Sequence, residues 1–307
     1  MAAVYVTPKH TATWASGQAG GNGLVPCAIS DRKAKIELYA DMLRVSVSRP
    51  ETPNTQYTAR GSVTSFSRRS RHRMLTRLSQ LRNVQNGWFV TLTFPDVFPE
   101  NPRHAKQAVA NLRKRIARQY PGAGGIWRLE FKERKTGTRA GKIAPHFHLL
   151  LFGIVTTSLE FRTWLRKAWF EVVGSRDMRH LYAGTQADEI KNRRHAMAYA
   201  SKYAAKDNDD TDRLPAAQKG HVGRFWGMFG EIDVTPSVVT MLDEYQFVEM
   251  RRMVARWMKS RGRRYTRAVA RGSTRAGFVA FGLGDSSWQE LADPPPPVAY
   301  RMIGAVA

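Results

Sequence analysis

Two histidines, His146 and His148, flank Phe147 in the segment APHFHLLLFG at 144–153. A dense apolar run bounded by turn residues reads as a buried strand. In a strand, residues two apart share a face. Both imidazoles therefore project together, while Phe147 points the other way. Two imidazoles fixed on one face are half of a metal site. The spacing alone is weak evidence. With eight histidines among 307 residues, chance supplies a His-x-His in roughly one such chain in five. The weight comes from what accompanies the pair.

The segment GIWRLEFKE at 125–133 alternates as a half-buried strand. A polar loop with Gly137 and Gly141 joins it to the histidine strand, so the two are expected to pair as a hairpin. That pairing sets Glu130 beside the imidazoles. Two histidines and a carboxylate suit a divalent ion with open positions for substrate oxygens. Mg2+ or Mn2+ is the ion expected for phosphate chemistry. Parity alone does not choose the third ligand. His104, His180, His195 and His221 are alternatives, and Glu130 could instead pair with Arg128, Lys132 or Lys142.

A second group lies in RRHAMAYASKYAAK, 193–206, an alanine-rich segment that reads as a helix. Tyr199, Lys202, Tyr203 and Lys206 fall at i, i+3, i+4 and i+7, which is one helical stripe. The ordinary reading of such a stripe is half-buried tyrosines beside snorkelling lysines. A phenol with a pKa of about 10 is a poor nucleophile unless activated. A metal that neutralises a phosphate, with lysines nearby, makes its attack on a phosphodiester feasible.

These groups need a frame. WFVTLTFP, 88–95, reads as a strand ended by proline. Residues 103–119 read as a helix stopped by Pro121-Gly122, and 158–172 as a helix on Phe161, Trp164, Leu165, Trp169 and Val172. A short strand is expected near 180–187. Strands are expected within 34–48, a basic helix at 66–83, and a long basic helical region at 240–271. The order of strands and helices, with hairpin connections, predicts an α+β fold. A central antiparallel sheet has helices packed on one face, and basic helical extensions flank it. The expected divisions are an N-terminal extension at 1–65, a catalytic domain at 66–230, and a basic helical region with a Pro-rich tail at 231–307.

The net charge is +24 and the isoelectric point about 10.7, which points to a polyanionic partner. The charge is clustered. No acidic residue occurs from Thr52 to Pro95 or from Met250 to Gly284. The first stretch contains Arg68, Arg69, Arg71 and Arg73; the second contains Arg251, Arg252, Arg256, Arg263 and Arg264. Arginine favours bidentate phosphate contacts, and single-sign runs of this length favour DNA. Cys27 is the only cysteine, which excludes a disulfide framework and any cysteine-based zinc finger. No apolar run is long enough to span a membrane. The N-terminus lacks a secretory pattern, so a cytoplasmic protein is expected. Trp88, Trp127, Trp164, Trp169 and Trp226 are expected in the core rather than as base-stacking platforms.

FVTLTFP, PHFHLLLFG and YASKYAAK occur in an order, and with gaps, that resemble the HUH endonucleases, specifically rolling-circle replication initiators of plasmids and phages. GRFWGMFG at 223–230 and the basic FSRRSRHRML helix also resemble stretches of that group. The resemblance covers about 66–230 and implies an HUH-type palm. It implies a metal held by His146, His148 and Glu130. Tyr199 or Tyr203, with Lys202 and Lys206, is then the nucleophile that becomes linked to a 5′-phosphate. The freed 3′-OH primes a host polymerase, and a later 3′-OH reseals the strand. Tyrosines four apart resemble the initiators that alternate two nucleophiles; single use of either stays open. GTRAGKI, 137–143, does not make a Walker A motif, so unwinding is assigned to a host helicase. Two alternatives differ in class. A two-tyrosine transposase usually carries a cysteine-rich zinc region, which this chain lacks. A non-catalytic basic DNA- or RNA-binding protein leaves the His pair and the phenols as accidents.

Overall fold

A computed structural model of the chain describes residues 33–47, 63–82, 84–193, 195–196, 213–262, 277–282 and 284. These residues form two antiparallel sheets with helices, an α+β fold. The larger sheet contains β3 (Gly87–Thr93), β4 (Gly124–Glu133), β5 (Ile143–Phe152), β6 (Thr185–Ile190) and β7 (Trp226–Gly230), in the order β6-β3-β5-β4-β7. The strands at 88–95, 125–133 and 145–152 are thus present as read, and the second and third pair as the expected hairpin.

The apolar residues of β3 and β5 point to both faces, so both faces must be covered. On one face lie α2 (Pro102–Gln119) and α3 (Ser158–Val172). α2 starts at Asn101, whose side chain accepts the Arg103 N–H, with Pro102 in the first turn. α3 starts at Thr157, in a reciprocal capping box with Glu160, which fixes its boundary where two backbone donors need partners. Trp88 packs on Phe161 at 4.6 Å, and Phe94 meets Trp169 edge-on at 5.1 Å. Trp88, Trp127 and Trp169 are buried.

α1 (Arg68–Gln80) adds a helix on the opposite face. Its Met74 and Leu78 line a cavity of about 20 Å3 with Phe89, Ile126, Arg128 and His148. Trp226 Nε1 donates to Ser70 Oγ at 3.0 Å and ties α1 to the edge strand β7.

Two local readings are corrected. Residues 178–183 are a helix, α4 (Met178–Ala183), and the strand follows at 185–190. Asp177 accepts the Arg179 N–H at 2.9 Å and Gly184 closes the turn, a helix start and stop that outweigh the short apolar run. Within 240–271, the helix proper is Glu244–Ser260, preceded by β8 (Val238–Leu242). The β-branched run VVT favours a strand, and the capping box of Asp243 with Gln246 begins the helix. With the short α5 (Ala216–Lys219) before it, this helix is α6.

The smaller sheet joins β1 (Ala34–Tyr39), β2 (Met42–Val47), β8 and β9 (Phe278–Phe281) in the order β8-β1-β2-β9. Segments read as N-terminal extension and C-terminal helical region thus build one sheet. Phe247, Met250, Val254 and Trp257 of α6 pack on Ile36, Leu38 and Val45. The Asp41 N–H bonds the Ser79 carbonyl at 3.2 Å, so the end of α1 touches both sheets.

Candidate active site

The hairpin register decides the geometry. Glu130 lies opposite His146, and Arg128 opposite His148. Across β5, Thr93 lies opposite His146 and Thr91 opposite His148. Strand parity puts these side chains on the face that α1 partly covers. His148 Nε2 and Glu130 Oε2 are 2.8 Å apart, and Thr91 Oγ1 is 3.2 Å from His148 Nδ1. The Phe89 ring stacks on the imidazole with centroids 5.7 Å apart. Glu130 and His148 are 1% and 5% exposed. Lys132 Nζ lies 3.2 Å from the same Glu130 oxygen, and the buried Arg128 guanidinium lies 4.7 Å from the Phe66 ring.

The charge states follow. Burial would push the Glu130 carboxyl up, but the His148 hydrogen bond and the positive charge of Lys132 and Arg128 outweigh it and hold it well below the carboxylate range. Burial pushes His146 down to about 4, helped by the Lys132 charge. Burial also lowers His148, against the pull of Glu130. Near neutrality the site holds an ionised carboxylate and two neutral imidazoles. Neutral imidazole and ionised carboxylate are the forms that ligate metals. Thr91 suits either tautomer of His148: its hydroxyl donates to a bare Nδ1 or accepts from Nδ1–H, and the second leaves Nε2 free for an ion. The donor chemistry therefore fits a divalent cation. Among the described residues, no three His, Cys, Asp or Glu side chains stand as a closed metal-binding group; Glu130 touches His148, with His146 beside them in register.

The alternative third ligands go elsewhere. His104 is exposed in the first turn of α2, and His221 is exposed before β7. His180 Nε2 donates to the Thr93 carbonyl at 2.9 Å. His195 Nδ1 accepts from the Lys191 N–H at 3.4 Å.

Tyr199, Lys202, Tyr203 and Lys206 lie outside the described residues, as do Arg263 and Arg264. Arg68, Arg69 and Arg73 are exposed on α1, with Arg71 half-buried. Arg252 and Arg256 lie on α6, the first exposed and the second half-buried beside it, and Arg252 pairs with Glu249 at 2.6 Å. Arg251 does not join the surface: it is buried with its guanidinium 5.7 Å from the Phe247 ring. Sequence reasoning missed Thr91 as a partner of His148. It named Lys132 only as a competitor for Glu130. The signal was present, since Arg128, Glu130 and Lys132 alternate on one strand face and Thr91 sits mid-strand in FVTLTFP.

Residues 87–208 match the family model of the replication-associated protein ORF2 type. The match begins at the first residue of β3 and takes in both histidines and both tyrosines. It supports a replication initiator role with DNA as partner. No curated protein and no solved structure matches the chain. No helix of the described residues is long and apolar enough to cross a membrane.

Proposed function

We propose that the protein initiates rolling-circle replication by nicking one DNA strand at an origin and later resealing it. The observation that carries this reading is the contact of Glu130 with His148, with His146 opposite Glu130, inside the segment that matches replication-associated proteins. His146, His148 and Glu130 would hold Mg2+ or Mn2+, which when bound offsets negative charge on the scissile phosphate. The fixed strands aim these donors without reorganisation. Thr91 orients His148, and Lys132 supplies a further positive charge beside the carboxylate.

The nucleophile is Tyr199 or Tyr203. Its phenolic oxygen bonds to phosphorus and loses its proton to solvent or a neighbouring base. The 3′ oxygen leaves and takes up a proton. Lys202 and Lys206 would favour the phenolate and the developing phosphate charge. The phosphotyrosine keeps the bond energy, so a 3′-OH can reverse the step and reseal the strand. The Arg-rich α1 and α6 faces supply sequence-independent DNA affinity. A host helicase unwinds and a host polymerase extends the freed 3′ end, in a cytoplasmic setting.

The test is incubation with supercoiled origin DNA and Mn2+, scored for relaxed circles that carry covalent protein. The expected result is an adduct lost in EDTA and lost in Tyr199→Phe/Tyr203→Phe. Nicking that persists in either condition overturns the mechanism. Relaxed circles without protein attached would replace the tyrosine with water as nucleophile.

A further inference from the structure

We infer that the tip of the β4–β5 hairpin, residues 134–142, is a preformed clamp for the phosphates of duplex DNA flanking the cleavage point. The inference rests on the nickase reading above. The tip, RKTGTRAGK, carries Arg134, Lys135, Arg139 and Lys142 and no acidic residue.

A short loop of one charge sign ordinarily repels itself and stays loose. Here it is held. The Arg134 N–H bonds the Lys142 carbonyl at 2.9 Å and the Gly141 N–H bonds the Arg134 carbonyl at 2.8 Å, closing the hairpin. Asp96, in the loop after β3, accepts from both the N–H and the hydroxyl of Thr138. Gly137 takes φ +89°, and a Cβ there would come within 2.5 Å of Asp96 Oδ1. A glycine is therefore required for this close approach. The Arg134 guanidinium donates to the Pro95 carbonyl at 2.8 Å, and Arg134 and Arg139 lie 5.7 and 5.3 Å from the Phe98 ring.

The cations divide into two sets. Arg134 and Arg139 fix the loop; Arg139 also faces Glu100 at 3.6 Å. Lys135 and Lys142 are exposed, and no carboxylate among the described residues pairs with either. The tip itself contains no aromatic residue on which an unpaired base could stack,. The ring it does touch, Phe98, is buried. Lysine point charges on a fixed backbone suit phosphates rather than bases, and the ordering cost is already met by the fold.

Position supplies the reach. Lys142 is four residues from His146 and Lys135 five from Glu130, along continuous strands. At about 3.3 Å per residue this is roughly 13–17 Å. Duplex DNA rises about 3.4 Å per base pair, so the clamp meets phosphates about four to five base pairs from one held at Glu130 and His146.

The experiment uses the full chain carrying Lys135→Gln/Lys142→Gln. Binding to a forked duplex is measured across a salt series, and cleavage is measured on a single-stranded origin oligonucleotide. The slope of log affinity against log salt should shrink by about 1.8, since each phosphate contact contributes about 0.9, and cleavage of the single strand should be unchanged. Lys114→Gln/Arg118→Gln on α2 removes the same charge from the far face and should shrink the slope much less. Asp96→Ala frees the tip without removing a cation and should also weaken duplex binding. An unchanged slope in the tip variant, or an equal loss in the α2 variant, overturns the clamp. Failure of the wild-type protein to cleave the oligonucleotide overturns the nickase reading instead, while the duplex slope still tests the clamp.

Discussion

Glu130 and His148 touch across 2.8 Å although neither is the other's cross-strand partner. Glu130 faces His146 and His148 faces Arg128, so the contact is diagonal, one pleat along the hairpin. The diagonal draws the carboxylate between two imidazoles. Thr91 holds the far side of His148, and Lys132 holds the same Glu130 oxygen. These contacts join the four side chains into a single electrostatic unit.

Glu130→Gln separates charge from shape. The amide can still meet His148, so the fold should survive, but Lys132 and any bound cation lose their counter-charge. Nicking should fall at least about a hundredfold, the upper end for loss of a partner outside the ligand shell. Duplex binding should stay within about threefold, because the carboxylate repels rather than binds phosphate. Single-turnover cleavage with a parallel binding titration checks both; near wild-type cleavage would remove Glu130 from the metal set.

The local half of this site was legible. Period-two alternation places Glu130, His146 and His148 on one face, and the Gly137–Gly141 loop marks the hairpin that sets their register. α3 occupies the expected residues because Thr157 and Glu160 cap it. What could not be read depends on distant pairing. β1 pairs with β8, matching Ala34 to Leu242, and no local pattern encodes that. α4 was open to local reading, since Asp177 and Gly184 are ordinary helix signals. Arg251 misled through its company: in a run of arginines, counting charge hides that it lies four residues after Phe247, on the buried stripe.

Thr91→Val tests whether His148 needs its second partner. Valine keeps the shape and removes the hydroxyl, so Nδ1–H would have no acceptor when Nε2 binds an ion. Mn2+ affinity should drop about 10–100-fold, as for other partners outside the ligand shell, with cleavage recovering at high Mn2+. Calorimetric titration of Mn2+ reads the affinity directly. Thr91→Ser should restore it, and an unchanged affinity in the valine variant would leave Thr91 a packing residue.

Acid should weaken the fold through the imidazoles first. His146 sits at about 4 in the folded chain, against about 6.5 when unfolded. Between those values the unfolded chain binds more protons, so stability is full above the unfolded pKa and falls as pH drops toward 4. At about 1.4 kcal/mol per pH unit the window contributes on the order of 3 kcal/mol. The depressed Glu130 acts below this window, its contribution being lost only as pH falls through its folded pKa. Urea midpoints in EDTA, taken from about pH 7 to pH 4, should slope downward in the wild type and less steeply in His146→Gln. Parallel slopes would mean the imidazole is solvated.

Arg251 and Arg73 should behave oppositely despite equal charge. Arg251 is buried in the smaller sheet's core, and its Nη1 has no hydrogen-bond partner among the described residues. Its stem packs among apolar side chains while its charge is held out of water, a cost that an apolar residue of similar length avoids. Arg251→Met should be neutral to stabilising by about 1–4 kcal/mol, and should leave the salt dependence of DNA binding unchanged. Arg73 is exposed on α1. Arg73→Gln should leave stability within about 0.5 kcal/mol, and should shrink the salt slope by about 0.9 if it meets a phosphate. Chemical denaturation and a salt-series titration on both variants separate the cases. A shrunken slope in Arg251→Met would show that α6 turns this side chain outward onto DNA.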